Sequence, residues 1–126
     1  MTLKLLLTLN AILAATTGVG FLFIPAVLLP LYGLGADPST LNVTRLLGGA
    51  LLGYGALSWF VRDSPQGPAL RGVVLGNVVG FTASVVGGLI SQFAGTANAL
   101  GWLTVAVDAL FALGYGYFAF MNPAGR

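Results

Sequence analysis

The sequence predicts an all-α fold: an antiparallel four-helix transmembrane bundle, in a single domain covering residues 1–126. Hydrophobic residues make up 57% of the chain and charged residues only 6%, whereas a soluble domain carries about 25% charged residues. The mean hydropathy is +0.96. Four apolar segments each approach the ~20 residues that a helix needs to cross ~30 Å of hydrocarbon.

The predicted spans cover residues 3–24, 41–60, 72–93 and 100–121. The first apolar run continues beyond residue 24 and is too long for one straight span. Pro25 and Pro30 are therefore expected to kink or end this helix. We expect the remainder, residues 25–34, to lie along the membrane interface. Gly, Pro and polar residues at 33–40 and 61–71 predict the loops on either side of the second span.

The basic residues predict an orientation. If the chain starts inside the cell, Lys4, Arg62, Arg71 and Arg126 lie on one side of the membrane, and Arg45 alone lies near the other. Short cytoplasmic loops carry an excess of Lys and Arg. The sequence therefore predicts that both termini are cytoplasmic.

Two pairs of short segments indicate a weak internal duplication of the chain. The segment LGYGALSWF at 52–60 is similar to LGYGYFAF at 113–120, and LNAILAATTGVG at 9–20 is loosely similar to GNVVGFTASVVG at 76–87. Two such halves, each a helical hairpin, would be related by a pseudo-twofold axis along the membrane normal. The alternative is a chance similarity between glycine-rich apolar helices.

Small residues recur at every fourth position of the third span, and the second span carries glycines that could face them. Such ridges let helix backbones approach closely in lipid. We expect the ridges to pack within the bundle, with a homodimer seam as the alternative. The predicted packing residues are Gly49, Gly53, Gly72, Gly76, Gly80, Ser84 and Gly88.

Apart from Lys4 at the very start of the first span, two charged residues, Arg45 and Asp108, fall within the predicted spans. Helical periodicity places Arg45 on the same face as Gly49, a face expected to point inward. The predicted depths of the two charges differ by about 6 Å, which an arginine side chain can span. The sequence predicts a buried ion pair or a water-bridged pair, because either charge alone is costly in lipid. The alternative is that Arg45 reaches the headgroups by itself.

Asn10 and Asn77 are predicted at similar depths in the first and third spans. A hydrogen bond between them is worth about 0.6 to 2 kcal/mol in a membrane. We interpret the intramembrane polar residues as fixing the helix register, with a transport path as the alternative. The other members of this set are Thr17, Ser84, Thr104 and Tyr115.

Composition argues against several kinds of chemistry. The chain has no Cys and no His, so the usual ligands for zinc and haem iron are missing. We expect no metal and no cofactor. The few basic residues are scattered, whereas nucleic-acid binding needs a clustered basic face. The sequence shows no plausible catalytic set, which favours a protein that is not an enzyme.

A first span ending in FLFIPAVLLPLYGL, an Asp-Pro loop and the segment TRLLGGALLGYGAL resemble an uncharacterised family of short bacterial four-helix integral membrane proteins. The resemblance covers nearly the whole chain. Its distinctive residues are Pro25, Tyr32, Arg45, Gly48 and Gly49. It implies a bacterial inner-membrane bundle and carries no activity with it.

These observations predict a small non-enzymatic integral membrane protein, either a structural or accessory subunit or a protein that binds a lipid or another hydrophobe. The expected partners are membrane lipids, and either a larger membrane complex or further copies of this chain. The alternative is a proton-linked small transporter or channel subunit that uses Asp108, since a buried acid can carry a proton.

Overall fold

The computed structural model describes residues 1–125, and its regular elements are all helical. This confirms the all-α class. Arg126, which the predicted charge asymmetry includes, lies outside the described residues. The elements are α1 (Leu3–Phe23), α2 (Pro25–Leu31), α3 (Pro38–Val61), α4 (Pro68–Phe93) and α5 (Ala99–Gly116), which continues into a π-helical turn (Tyr117–Met121).

Three helices are long and apolar enough to cross a membrane: α1, α4, and α5 together with its π-helical turn. The helix α3 has 24 residues, a sufficient length, but it is not among the three. Its sequence includes Asn42, Thr44 and Arg45 together with several glycines, which lower its mean hydropathy. The structure therefore shows three candidate membrane spans, and not clearly four.

The chain breaks between α1 and α2, as the proline positions predict. A residue before proline is pushed out of helical geometry, and Ile24 has φ −130° and ψ 42° before Pro25. Pro30 does not end the second segment, because it lies inside α2. The helix ends at Leu31, and Gly33, with φ +74°, makes the left-handed turn that follows many helices.

Side chains cap three of the helix N-termini. Thr2 caps α1, Asp37 caps α3 and Asn98 caps α5. A hydrogen bond from the Thr40 hydroxyl is the main reason that the pKa of Asp37 lies below its usual value. These caps satisfy backbone N–H groups that have no partner within the helix.

The four long helices form two hairpins. One pairs α1 with α3, the other pairs α4 with α5, and the hairpins meet where α1 contacts α5 and α3 contacts α4. At one end, which we name the terminal end, the Leu3 N–H donates to Gly125 O at 3.2 Å. At the opposite or far end, the Asn98 side chain donates to Leu31 O at 2.8 Å. This bond ties α2 to the loop between α4 and α5.

The α1–α3 contact depends on glycines that bring the two backbones together. A Cβ at Gly48 would lie 2.7 Å from Gly18 O and 2.7 Å from Leu22 N. A Cβ at Gly55 would lie 3.1 Å from Ala11 O. The inward face of α3 is therefore the face of Gly48 and Gly55, both of which are buried.

The predicted packing ridges are largely not used for contacts within this chain, and a homodimer seam stays a prediction. A Cβ at Gly49, Gly53, Gly72 or Gly76 would meet no atom within 4 Å. On α4, only the later positions of the ridge make contacts: Gly80 lies near the Tyr54 hydroxyl and Gly88 lies against Val105. The prediction chose the wrong face of α3, because neighbouring residues such as Gly48 and Gly49 point about 100° apart on a helix.

The apolar core lies toward the terminal end. On α4 the buried residues are Leu70, Val74 and Asn77, all in the first three turns. Toward the far end, Ser84 is exposed, so the two hairpins enclose less of each other there. The core consists of Leu3, Leu6, Leu7, Leu70, Val74, Tyr115, Phe118 and Ala119.

Candidate functional site

The centre of the bundle holds a layer of uncharged polar side chains. The Asn10 amide nitrogen donates to Asn77 Oδ1 at 2.8 Å and to Ser58 Oγ at 3.0 Å. The Tyr54 hydroxyl also donates to Asn77 Oδ1, and the Asn77 amide nitrogen donates to Val73 O at 2.8 Å. The predicted pairing of Asn10 with Asn77 is therefore present in the structure.

The layer is deeply buried and joins three helices. Asn10 and Asn77 are each 1% exposed, and Ser58 is fully buried. Buried amides and hydroxyls without partners are costly, so the bonds from α1 and α3 to Asn77 favour a single arrangement of the helices. Tyr54 and Ser58 were not predicted. The signal was available, because the two lie four residues apart and so share a helix face.

Tyr115 brings the fourth long helix, α5, into this region. Its ring is fully buried and stacks on Phe81 with a centroid distance of 5.9 Å. Its hydroxyl is buried and has no hydrogen-bond partner among residues 1–125. Phe81 also stacks on Phe111, with a centroid distance of 4.9 Å. Asp108 lies on the same helix, two turns before Tyr115.

Arg45 and Asp108 do not form the predicted ion pair. Among residues 1–125 the salt bridges join Asp63 to Lys4 and to Arg62. Arg45 is exposed, because it lies one residue from Thr44 on the buried face of α3 and so points away from it.

Asp108 has a different partner. Its carboxylate accepts a hydrogen bond from the Ser84 hydroxyl, and its side chain is partly buried between α4 and α5. The remaining two residues of the predicted set are Thr17, which is partly buried, and Thr104, which is exposed. Within residues 1–125, neither forms a hydrogen bond with Asp108. Among residues 1–125, no three acidic side chains lie close enough together to hold a metal ion.

The terminal end carries most of the charge. Lys4 Nζ lies 2.5 Å from Asp63 Oδ1, and the Arg62 Nε lies 3.5 Å from Asp63 Oδ2. The hydrogen bond from Lys4 is the main reason that the pKa of Asp63 lies below its usual value. Arg62 Cζ also lies 3.3 Å from the centroid of the Trp59 ring, a favourable cation–π contact. Arg71, also at this end, has no carboxylate partner among residues 1–125.

Fold and site define a helical protein with three candidate membrane-crossing helices and an uncharged polar layer at its centre. Comparisons with protein-family models, with curated proteins and with solved structures found no match. Its function must therefore be argued from the geometry.

Proposed function

We propose that this chain is a non-enzymatic membrane protein that crosses the bacterial inner membrane four times and holds a lipid or another hydrophobe against its helices. The observation that carries the proposal is the polar layer around Asn77. Its side chains bond mainly to one another, an arrangement typical of polar groups that hold membrane helices together. The family resemblance supports the bacterial inner membrane.

The fourth span in this proposal is α3. It packs against α1, and the contacts of Gly48 with Gly18 and of Gly55 with Ala11 are about two turns apart. A helix joined in this way to a membrane-crossing neighbour must share its depth. Arg45 lies near the far end of α3 and is exposed, so its side chain can extend to the headgroups. This arrangement favours the snorkelling alternative over an ion pair.

The proposed orientation places the terminal end in the cytoplasm. Within residues 1–125, Lys4, Arg62 and Arg71 are near this end, against one carboxylate, that of Asp63. Arg45 is near the other end. The excess of Lys and Arg favours the cytoplasmic side.

The proposed internal repeat relates the two hairpins. In the similar segments 52–60 and 113–120, Tyr54 aligns with Tyr115, and both rings contact Phe81. Asn10 and Asn77 bond to each other, as equivalent residues beside a pseudo-twofold axis would. This pairing supports the repeat over a chance similarity.

A shallow apolar groove on the α1–α3 hairpin supports hydrophobe binding. The groove has a volume of about 390 Å³, within the range of small-molecule sites. Its lining side chains are apolar apart from the Trp59 indole N–H, so an acyl chain would meet mainly apolar surface. Its walls are Ala11, Ile12, Ala15, Leu52, Gly55, Ala56, Trp59 and Phe60.

Native mass spectrometry of the protein released from phospholipid nanodiscs tests the proposal. We expect the wild-type chain to retain lipid and Ala56→Trp, which fills the groove from its exposed side, to retain several-fold less. Ala50→Trp is the matched control, because Ala50 is exposed on the same helix but does not line the groove. A wild-type chain without retained lipid, or equal loss in both variants, would contradict hydrophobe binding in this groove.

A proton-linked transporter or channel subunit is the second candidate. Asp108 favours it, because this carboxyl bonds to Ser84 and no cation neutralises it within residues 1–125. We expect a proton flux into pyranine-loaded liposomes if this candidate is correct. Asp108→Asn should abolish that flux and still fold, since an amide oxygen can accept the same hydrogen bond. A wild-type flux equal to that of empty liposomes would eliminate the candidate.

A further inference from the structure

A second groove opens at the terminal end, where the first turns of α1 and α4 meet the π-helical turn and the residues that follow it. Its volume is about 400 Å³. The floor is apolar and buried, since Leu70, Val74 and Phe118 belong to the core. The full lining is Leu3, Gln66, Gly67, Leu70, Arg71, Val74, Phe118, Ala119, Pro123 and Ala124.

One wall of this groove is the segment after the last helix, and hydrogen bonds hold it in place. The Gln66 side chain donates to Ala124 O at 3.1 Å, and the Leu3 N–H donates to Gly125 O at 3.2 Å. Gly125 has φ +71°, a conformation that glycine adopts without strain. These hydrogen bonds therefore fix the shape of the groove in the folded chain.

Among residues 1–125, one charged side chain lines the groove. It is that of Arg71, which is exposed. Lys4 and Arg62, which also lie at this end, both contact Asp63. No acidic side chain within the described residues lines the groove. The groove therefore combines an apolar floor with one guanidinium that has no carboxylate partner among residues 1–125.

We propose that this groove binds one anionic phospholipid from the cytoplasmic leaflet, with an acyl chain along Leu70, Val74 and Phe118 and the phosphate on Arg71. The inference rests on the proposed membrane orientation and identifies a specific lipid site within the proposed function. Arginine matches phosphate with two parallel hydrogen bonds. A free anion would leave the apolar floor empty, and an apolar ligand would leave Arg71 unpaired. An anionic amphiphile covers the apolar floor and also pairs with Arg71.

The experiment compares retention of phosphatidylglycerol and phosphatidylcholine of identical acyl chains by the full chain in mixed nanodiscs, measured by native mass spectrometry. We expect the wild type to prefer phosphatidylglycerol by about fivefold, the effect typical of one basic residue at an anionic surface. Arg71→Gln should remove the preference, and Arg71→Lys should keep part of it. Arg45→Gln is the matched control and should keep all of it.

A second variant tests the apolar part of the site. Ala124→Trp fills the groove from its exposed rim and keeps both Arg71 and the Ala124 carbonyl, so it should lower retention of both lipids at this site. Circular dichroism and gel filtration identify any variant that fails to fold. If Arg71→Gln fails to fold, the partial loss of preference in Arg71→Lys tests the guanidinium–phosphate contact. Added inorganic phosphate should leave the retained phosphatidylglycerol in place, and displacement by phosphate would show a simple anion site instead.

The outcomes separate this inference from the proposal on which it rests. If both lipids are retained equally and only Ala56→Trp lowers retention, the anionic site is wrong and hydrophobe binding stands. If Arg45→Gln removes the preference as fully as Arg71→Gln does, general surface charge explains it and the inference is overturned. If the wild type retains no lipid, both are wrong.

Discussion

Gly48→Ala will destabilise the protein by about 2–3 kcal/mol, near the upper end of the penalties measured for overpacked interiors. The added Cβ would lie 2.7 Å from Gly18 O and 2.7 Å from Leu22 N. Both are backbone atoms of α1, so no side-chain rotation relieves the clash and the two helices must move apart. The measurement is the free energy of unfolding in mixed micelles, followed by circular dichroism as the denaturing detergent fraction rises.

The neighbouring glycine provides the control. A Cβ at Gly49 meets no atom within 4 Å, and alanine favours a helix over glycine by about 1 kcal/mol. Gly49→Ala is therefore expected to be neutral or slightly stabilising. Equal losses at Gly48 and Gly49 would show that the effect comes from the helix itself and not from its contact with α1.

The positions of the long helices could be read from the sequence, but the starts of α3 and α4 could not. The second span was predicted from residue 41 and α3 begins at Pro38, and the third was predicted from residue 72 and α4 begins at Pro68. Proline is favoured in the first turn of a helix, because its missing N–H has no partner there anyway. Hydropathy marks only the apolar part of a helix and so misses this turn.

The faces of the helices were harder to predict than their positions. A soluble helix shows its buried side by an apolar stripe, but a helix in lipid is apolar on most sides. The small-residue face of Gly49 was taken as the inward face of α3, whereas Gly48 and Gly55 occupy it. Because Gly48 and Gly55 face inward, Arg45 points outward and is not the partner of Asp108.

The Asn10–Asn77 bond could be predicted because the prediction needed only the depth of each residue along its predicted span. Two similar residues at matching distances from the same side of the membrane have few other partners available in lipid. The structure adds that Asn77 is the hub: its Oδ1 accepts from both Asn10 and Tyr54. Substitution of Asn77 should therefore affect more than one bond.

Asn77→Leu is expected to cost about 1–3 kcal/mol, since it leaves buried donors without their acceptor. Asn10 and Tyr54 both lose their bond to Oδ1, while leucine keeps a similar volume. Asn10→Leu alone should also destabilise the protein, because it removes the bonds to Ser58 and Asn77. Thr82→Ala is the control, as Thr82 is exposed on the same helix and its side chain makes no hydrogen bond within residues 1–125.

The double variant distinguishes a bonded pair from two independent polar residues. Replacing both partners by apolar groups removes the Asn10 donor together with the Asn77 acceptor, and only the Tyr54 hydroxyl then loses its bond to Asn77 Oδ1. Asn10→Leu/Asn77→Leu should therefore lose less stability than the sum of the single variants, by about 0.6–2 kcal/mol, the range found for polar contacts between membrane helices. The same detergent titration measures all three variants. Strictly additive losses would mean that each asparagine acts through its own helix, and the polar layer would then not be what holds α1 against α4.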